Sequence, residues 1–84
     1  MQIVFFGNTK YSLIGAKIIH ENLGINHIVT IPDRPDKRGK MTPSPLKVLA
    51  NKNTIPIFEV NKFTPETTEE IINLKPDFLV VEDY

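Results

Sequence analysis

The 84 residues include no cysteine, no tryptophan and only four glycines, and the formal net charge is zero. Without cysteine there can be no disulfide and no thiolate metal ligand, so packing and hydrogen bonding must hold the fold. A reducing compartment is thereby allowed but not required. No apolar run approaches the ~20 residues that cross a bilayer. The opening MQIVFFG has no basic leader and no small-residue cleavage site, so a secretory signal is not expected. Scarce glycine also narrows the nucleotide chemistry. A dinucleotide turn wants G-x-G-x-x-G and a P-loop wants G-x-x-x-x-G-K-[ST]. The first turn here, Gly7-Asn8-Thr9-Lys10-Tyr11-Ser12, supplies one glycine and fits neither. Phe5-Phe6-Gly7-Asn8 lacks the acids of a phospho-acceptor domain. The two histidines, His20 and His27, lack metal-ligand spacing, and both read as structural or solvent-facing.

What is present is an ordinary soluble composition, 40% hydrophobic and 24% charged, enough for one small domain. Gln2–Phe6 is a short apolar, β-branched and aromatic run ended by Gly7, which reads as a buried parallel strand. Ser12 is placed as the N-cap of a helix reaching about Leu23, with Ala16, Ile19 and Leu23 as its inner stripe and Ile14 and Ile18 beside it. Lys17 and Glu21 fall on its outer face, and Gly24 suits the left-handed residue after its end. Residues 26–31 read as a second strand. Ser44-Pro45 reads as an N-cap and first helical position, with Leu46, Leu49 and Ala50 facing inward. Ile55-Pro56-Ile57-Phe58 is a third strand, its proline marking an edge or a start. Thr64-Pro65 repeats the cap logic, and Ile71 and Leu74 point inward. Phe78–Val81 is a fourth strand, apolar on both faces. The order β-α-β-loop-α-β-α-β predicts an α/β fold, the first half of a Rossmann-like parallel sheet with spatial order 3-2-1-4. Asn8–Ser12, Asp33–Lys40 and Glu82–Tyr84 would share its ligand-binding edge. A fourth strand apolar on both faces invites further strands. The chain is thus expected to be a truncated domain, marginally stable or aggregating alone.

The stretch from Ile31 to Lys47, IPDRPDKRGKMTPSPLK, fits no single regular element. It holds four of the seven prolines and five of the ten Lys and Arg residues. Charge is skewed to match: residues 1–52 carry eight Lys/Arg against three Asp/Glu, and residues 53–84 carry two against seven. A glutamate-rich last helix accounts for part of that skew. The rest points to an anionic partner at the loop. Arg34, Lys37, Arg38 and Lys40 lie within seven residues. Arginine can fork onto phosphate or a base edge, and proline stiffening lowers the entropic cost of ordering the loop. Asp33 and Asp36 flank Arg34 and are expected to pair locally with basic neighbours.

The combination Pro32-Asp33-Arg34-Pro35, Arg38-Gly39-Lys40 and Pro43-Ser44-Pro45-Leu46-Lys47 resembles the signature insertion of the methionyl-tRNA formyltransferase family. Ile3–Gly7 is similar to that family's opening strand, Ile55–Phe58 to its G-[IL]-P-V-[FY] segment, and Lys75–Val81 with Tyr84 to its N-P-D-[LV]-[IL]-V-V-x-x-Y stretch. Three features differ. The first turn is Gly7-Asn8-Thr9-Lys10-Tyr11 where the family has G-T-P-x-F. The loop is one residue shorter between Lys40 and Pro43. Glu82 and Asp83 stand where small residues are common.

The resemblance implies transfer of a formyl group from 10-formyltetrahydrofolate to the amino group of methionyl initiator tRNA, in a cytoplasmic protein that is monomeric at full length. It implies that the loop reaches the tRNA acceptor end, with Arg38 as main contact and Arg34, Lys37 and Lys40 supporting it on phosphates. It also implies that residues 1–84 are the N-terminal portion of the catalytic domain. The Asn-x-His motif, the later Asp, the folate-binding loop and a C-terminal tRNA-binding domain would then follow Tyr84, so the chain alone carries no catalytic residue. In the whole protein a neutral amine would attack the formyl carbon, a histidine would handle the proton, and polar donors would hold the oxyanion. Two other readings stay open at this point. One is a same-fold formyltransferase acting on a small amine, such as glycinamide ribonucleotide or an amino sugar nucleotide. The other is a non-catalytic RNA-binding remnant.

Overall fold

The computed structural model describes every residue except Asp36 and Asp83. The expected pairings of Asp36 and the position of Asp83 therefore lie outside the described residues. The chain runs β1 (Ile3–Phe6), α1 (Lys10–Asn22), β2 (His27–Thr30), β3 (Arg34–Pro35), β4 (Met41–Thr42), α2 (Pro45–Asn53), β5 (Ile57–Glu59), α3 (Pro65–Asn73) and β6 (Phe78–Val81). The four longer strands form one parallel sheet ordered β5-β2-β1-β6. Counting only those strands, this is the 3-2-1-4 order of a Rossmann-like half sheet. Phe5 aligns with Ile28 on one side and Val80 on the other, and Thr30 aligns with Glu59.

The layering follows from strand order and handedness. The β1-to-β2 and β2-to-β5 crossovers progress in one direction, and right-handed connections put both helices on the same face. The β5-to-β6 crossover runs back across the sheet, so its helix covers the opposite face. The cores divide accordingly. Ile3, Phe5 and Ile28 pack with Ala16 of α1 and with Leu46, Leu49 and Ala50 of α2. Val4, Phe6 and Val29 pack with Val60 and with Ile71 of α3. Fully burying such a side chain is worth about 1.5–3 kcal/mol, so these residues dominate the fold's stabilisation.

Local chemistry corrects the expected start of α1. Its N-cap is Thr9, not Ser12. Thr9 Oγ1 accepts from the Ser12 N–H at 3.1 Å, and Ser12 Oγ accepts from the Thr9 N–H at 2.9 Å, a reciprocal capping box. Thr64 and Thr67 repeat it at α3. Ser44 caps α2 with Pro45 at the first helical position, as expected. Gly24 has φ +83° and caps the end of α1. The inner stripe of α1 is narrower than expected: Ala16 is buried, but Ile14, Ile18 and Leu23 are more than half exposed. Pro56 immediately precedes β5, an outer strand of the sheet. Among the described residues no helix is long and apolar enough to cross a membrane.

Candidate functional site

All four long strands are parallel, so their carboxyl ends open on one edge, and the segments after β1, β2 and β6 begin there. The basic segment after β2 is more ordered than its prolines imply. It folds into a small antiparallel ribbon, with Arg34 opposite Thr42 and Pro35 opposite Met41. The turn of the ribbon lies around Lys37–Gly39, where Gly39 takes φ +80°. A left-handed φ is most easily adopted by glycine, so Gly39 suits the turn between Arg38 and Lys40. Arg34, Lys37, Arg38 and Lys40 are all exposed. The ribbon brings these four cations together on one projection, as the spacing anticipates.

Both legs of the ribbon are tied to the sheet. Thr30, the last residue of β2, donates through Oγ1 to Ser44 Oγ at 2.8 Å, and both residues are buried. The same hydroxyl lies 3.2 Å from Asn8 Oδ1, which also accepts from the Ile31 N–H at 2.9 Å. On the outer side, Lys47 Nζ lies 3.0 Å from Asp33 Oδ1 and 2.6 Å from Glu59 Oε1. The Glu59 and Asp33 carboxylates raise the pKa of Lys47 above its usual value of 10.5. Asp33 therefore pairs not with a local neighbour, as expected, but with a residue fourteen positions on, because the fold sets the start of α2 beside the segment after β2. Between the legs, Pro32, Pro35 and Pro43 line a shallow hollow of about 300 Å³.

At the same strand ends Phe6, Phe63 and Tyr84 form an aromatic group, with Phe6–Tyr84 and Phe63–Tyr84 centroids 5.8 and 5.5 Å apart. Tyr84 donates its hydroxyl to the Val60 carbonyl at 3.1 Å, and burial raises its pKa. The histidines serve elsewhere. His20 Nδ1 accepts from the Ile25 N–H at 3.1 Å beyond the end of α1, and His27 lies against Phe58. No group of three or more His, Asp or Glu among the described residues could hold a metal ion.

The geometry therefore offers an exposed cluster of cations on a base tied by hydrogen bonds and ion pairs, suited to a polyanion. Nothing among the described residues assembles a site for a pterin ring, so no residue is assigned to a folate donor. Sequence reasoning had not singled out Asn8, Thr30, Lys47 and Glu59, which hold the ribbon. One signal for Lys47 was present. It occupies the third position of α2, where helix dipoles favour an acid over a cation.

No family model matches the chain. Among curated proteins, it is 37% identical over 84 residues to a methionyl-tRNA formyltransferase of Clostridium perfringens, covering 96% of this chain and 27% of that protein. It is 38% identical over 84 residues to one from Geobacter sulfurreducens, covering 96% of this chain and 26% of that protein. A third, from Dictyoglomus thermophilum, is 38% identical over 87 residues, covering all of this chain and 28% of that protein. The chain spans about a quarter of the length of the curated relatives it matches, and over its whole length it resembles their N-terminal part.

Proposed function

We propose that residues 1–84 are the N-terminal portion of a formyltransferase catalytic domain. The whole protein would move a formyl group from 10-formyltetrahydrofolate to the amino group of methionyl initiator tRNA, in the cytoplasm and as a monomer. In this reading the ribbon receives the tRNA acceptor end. Arg38 makes the main contact, and Arg34, Lys37 and Lys40 neutralise phosphates around it. The donor and the catalytic groups enter through the resemblance alone. The part played by this chain is binding and orientation: its cations collect the anionic stem, and the tied base holds them at the carboxyl edge of the sheet.

One observation carries the proposal, namely an exposed four-cation ribbon within a chain that resembles methionyl-tRNA formyltransferases from end to end. A small amine substrate would leave that ribbon without a role. The test is the Arg38→Ala variant of the whole protein. Its kcat/KM for methionyl initiator tRNA should fall by about tenfold or more, as losing a base-edge or phosphate arginine does. The dependence of affinity on salt should also weaken by about 0.7–0.9 in log–log slope per lost phosphate contact. Unchanged kinetics and slope would overturn the assignment of the ribbon.

A further inference from the structure

Lys47 is the fifth cation of the basic stretch, and its sequence position groups it with the four on the ribbon. Its surroundings set it apart. The Lys47 amino group lies against two carboxylates from separate elements, Asp33 in the segment after β2 and Glu59 at the end of β5. Its side chain is only 26% exposed. The third helical position makes the contrast plain. In α1 and α3 that position is Ser12 or Thr67, whose hydroxyl turns back to accept from the N-cap N–H. In α2 it is Lys47, a cation placed against the dipole, whose side chain instead reaches away to the sheet and the loop.

The position of this tie gives it a function. Asp33 immediately precedes Arg34, the first ribbon residue, so the Lys47–Asp33 pair pins the outgoing leg. The Thr30–Ser44 hydrogen bond pins the returning leg two residues after Thr42. Glu59 anchors Lys47 to the outer strand β5. With both legs held, the ribbon projects in one direction and needs little ordering when a ligand binds.

We propose that Lys47 is a positioning residue. It makes no nucleic-acid contact itself, and through Asp33 and Glu59 it presets the direction of the ribbon. The inference rests on the reading of the ribbon as the acceptor-end contact. It assigns Lys47 a task distinct from that of Arg34, Lys37, Arg38 and Lys40.

The test compares Lys47→Met, Lys47→Arg and Arg38→Ala in the whole protein, using methionyl initiator tRNA across a salt series. Lys47→Met should raise the KM for tRNA about three- to tenfold, the scale of reordering a few side chains. The log–log salt slope, the KM for the formyl donor and kcat should stay unchanged. Lys47→Arg, which can still bridge two carboxylates, should restore most of the affinity. A slope that falls by about 0.7–0.9 would make Lys47 a phosphate contact and overturn the inference. So would an unchanged KM for tRNA, or a parallel change in kcat and donor KM of the kind general destabilisation causes. If Arg38→Ala leaves tRNA kinetics unaltered, the ribbon reading fails. If Arg38→Ala is impaired and Lys47→Met is not, only the positioning role fails.

Discussion

Thr30 Oγ1 and Ser44 Oγ meet at 2.8 Å in the interior, joining the end of β2 to the N-cap of α2 across the base of the basic ribbon. Ser44 serves twice, since Oγ also accepts from the Lys47 N–H at 3.2 Å. Ser44→Ala removes the cap and the tie together and should cost about 1–2 kcal/mol. Thr30→Val keeps the shape and removes only the hydroxyl. Ser44 then retains Lys47, and Asn8 retains Ile31, so the cost should be nearer 1 kcal/mol. Urea midpoints at constant m-value would measure both. A neutral Thr30→Val would mean that the tie contributes nothing to stability.

Two glycines make opposite predictions. A Cβ at Gly7 would stand 2.7 Å from Ser12 Cβ and 2.9 Å from the Phe5 ring, both fixed by burial. Gly7→Ala should therefore destabilise by about 1–3 kcal/mol, the usual cost of overpacking. At Gly15 the atoms nearest the added one belong to the carboxylate end of Glu82, a flexible group that can swing aside. Gly15 lies inside α1, where alanine is favoured by up to about 1 kcal/mol. Gly15→Ala should leave the thermal midpoint unchanged or raise it. A lowered midpoint would show that Glu82 is held against the helix.

How far the fold was legible follows from the kind of signal each element carries. The strands are readable because IVFF, HIVT and FLVV are continuous apolar or β-branched runs, and their alternation with helices points to the Rossmann-like order. The start of α1 is ambiguous in sequence because Thr9 and Ser12 are both hydroxyls three residues apart. Only the capping-box geometry tells which is the cap. Periodicity gives the inner stripe of α1 a direction but not how much of the helix surface a sheet covers, and here only Ala16 and Ser12 are buried. The four ribbon cations were legible as a cluster. The ribbon itself was not, because two-residue strands between prolines carry no period. The ties through Asn8, Thr30, Lys47 and Glu59 join residues 12 to 23 positions apart and exist only once β2, β5 and α2 are side by side.

Stability should decline on the alkaline side for two identified reasons. Glu59 and Asp33 raise the Lys47 pKa above 10.5, so the folded chain holds that proton more tightly than the unfolded chain. Its contribution is complete below about pH 10.5 and is lost as pH rises through the folded-state value. Burial raises the Tyr84 pKa above 10.0, so its phenol ionises more readily once unfolded, which also lowers stability as pH rises past about 10. Melting temperatures measured from about pH 8 to 11.5 should be flat at first and then fall. Lys47→Met and Tyr84→Phe should each make that fall shallower. An alkaline limb unchanged in both variants would assign it to other groups.

The remaining prediction concerns β6, which pairs with β1 on one side and is the outer strand on the other. Phe78, Leu79 and Val81 are 57%, 56% and 66% exposed, an unusual burden for a parallel strand, whose two faces are normally covered. Register places Leu79 beside Val4 and Val81 beside Phe6, on the α3 side of the sheet. An open edge with apolar side chains is a template for pairing with another strand, and lysine on such an edge blocks it. The 84-residue chain should associate as its concentration rises, and Leu79→Lys with Val81→Lys should shift it toward monomer. Exposed substitutions of this kind change stability by only about 0.5 kcal/mol either way, so helix content should be preserved. Sedimentation velocity over a concentration series, with circular dichroism on the same samples, separates the outcomes. A parent chain that stays monomeric and melts cooperatively at every concentration would show that β6 needs no further partner.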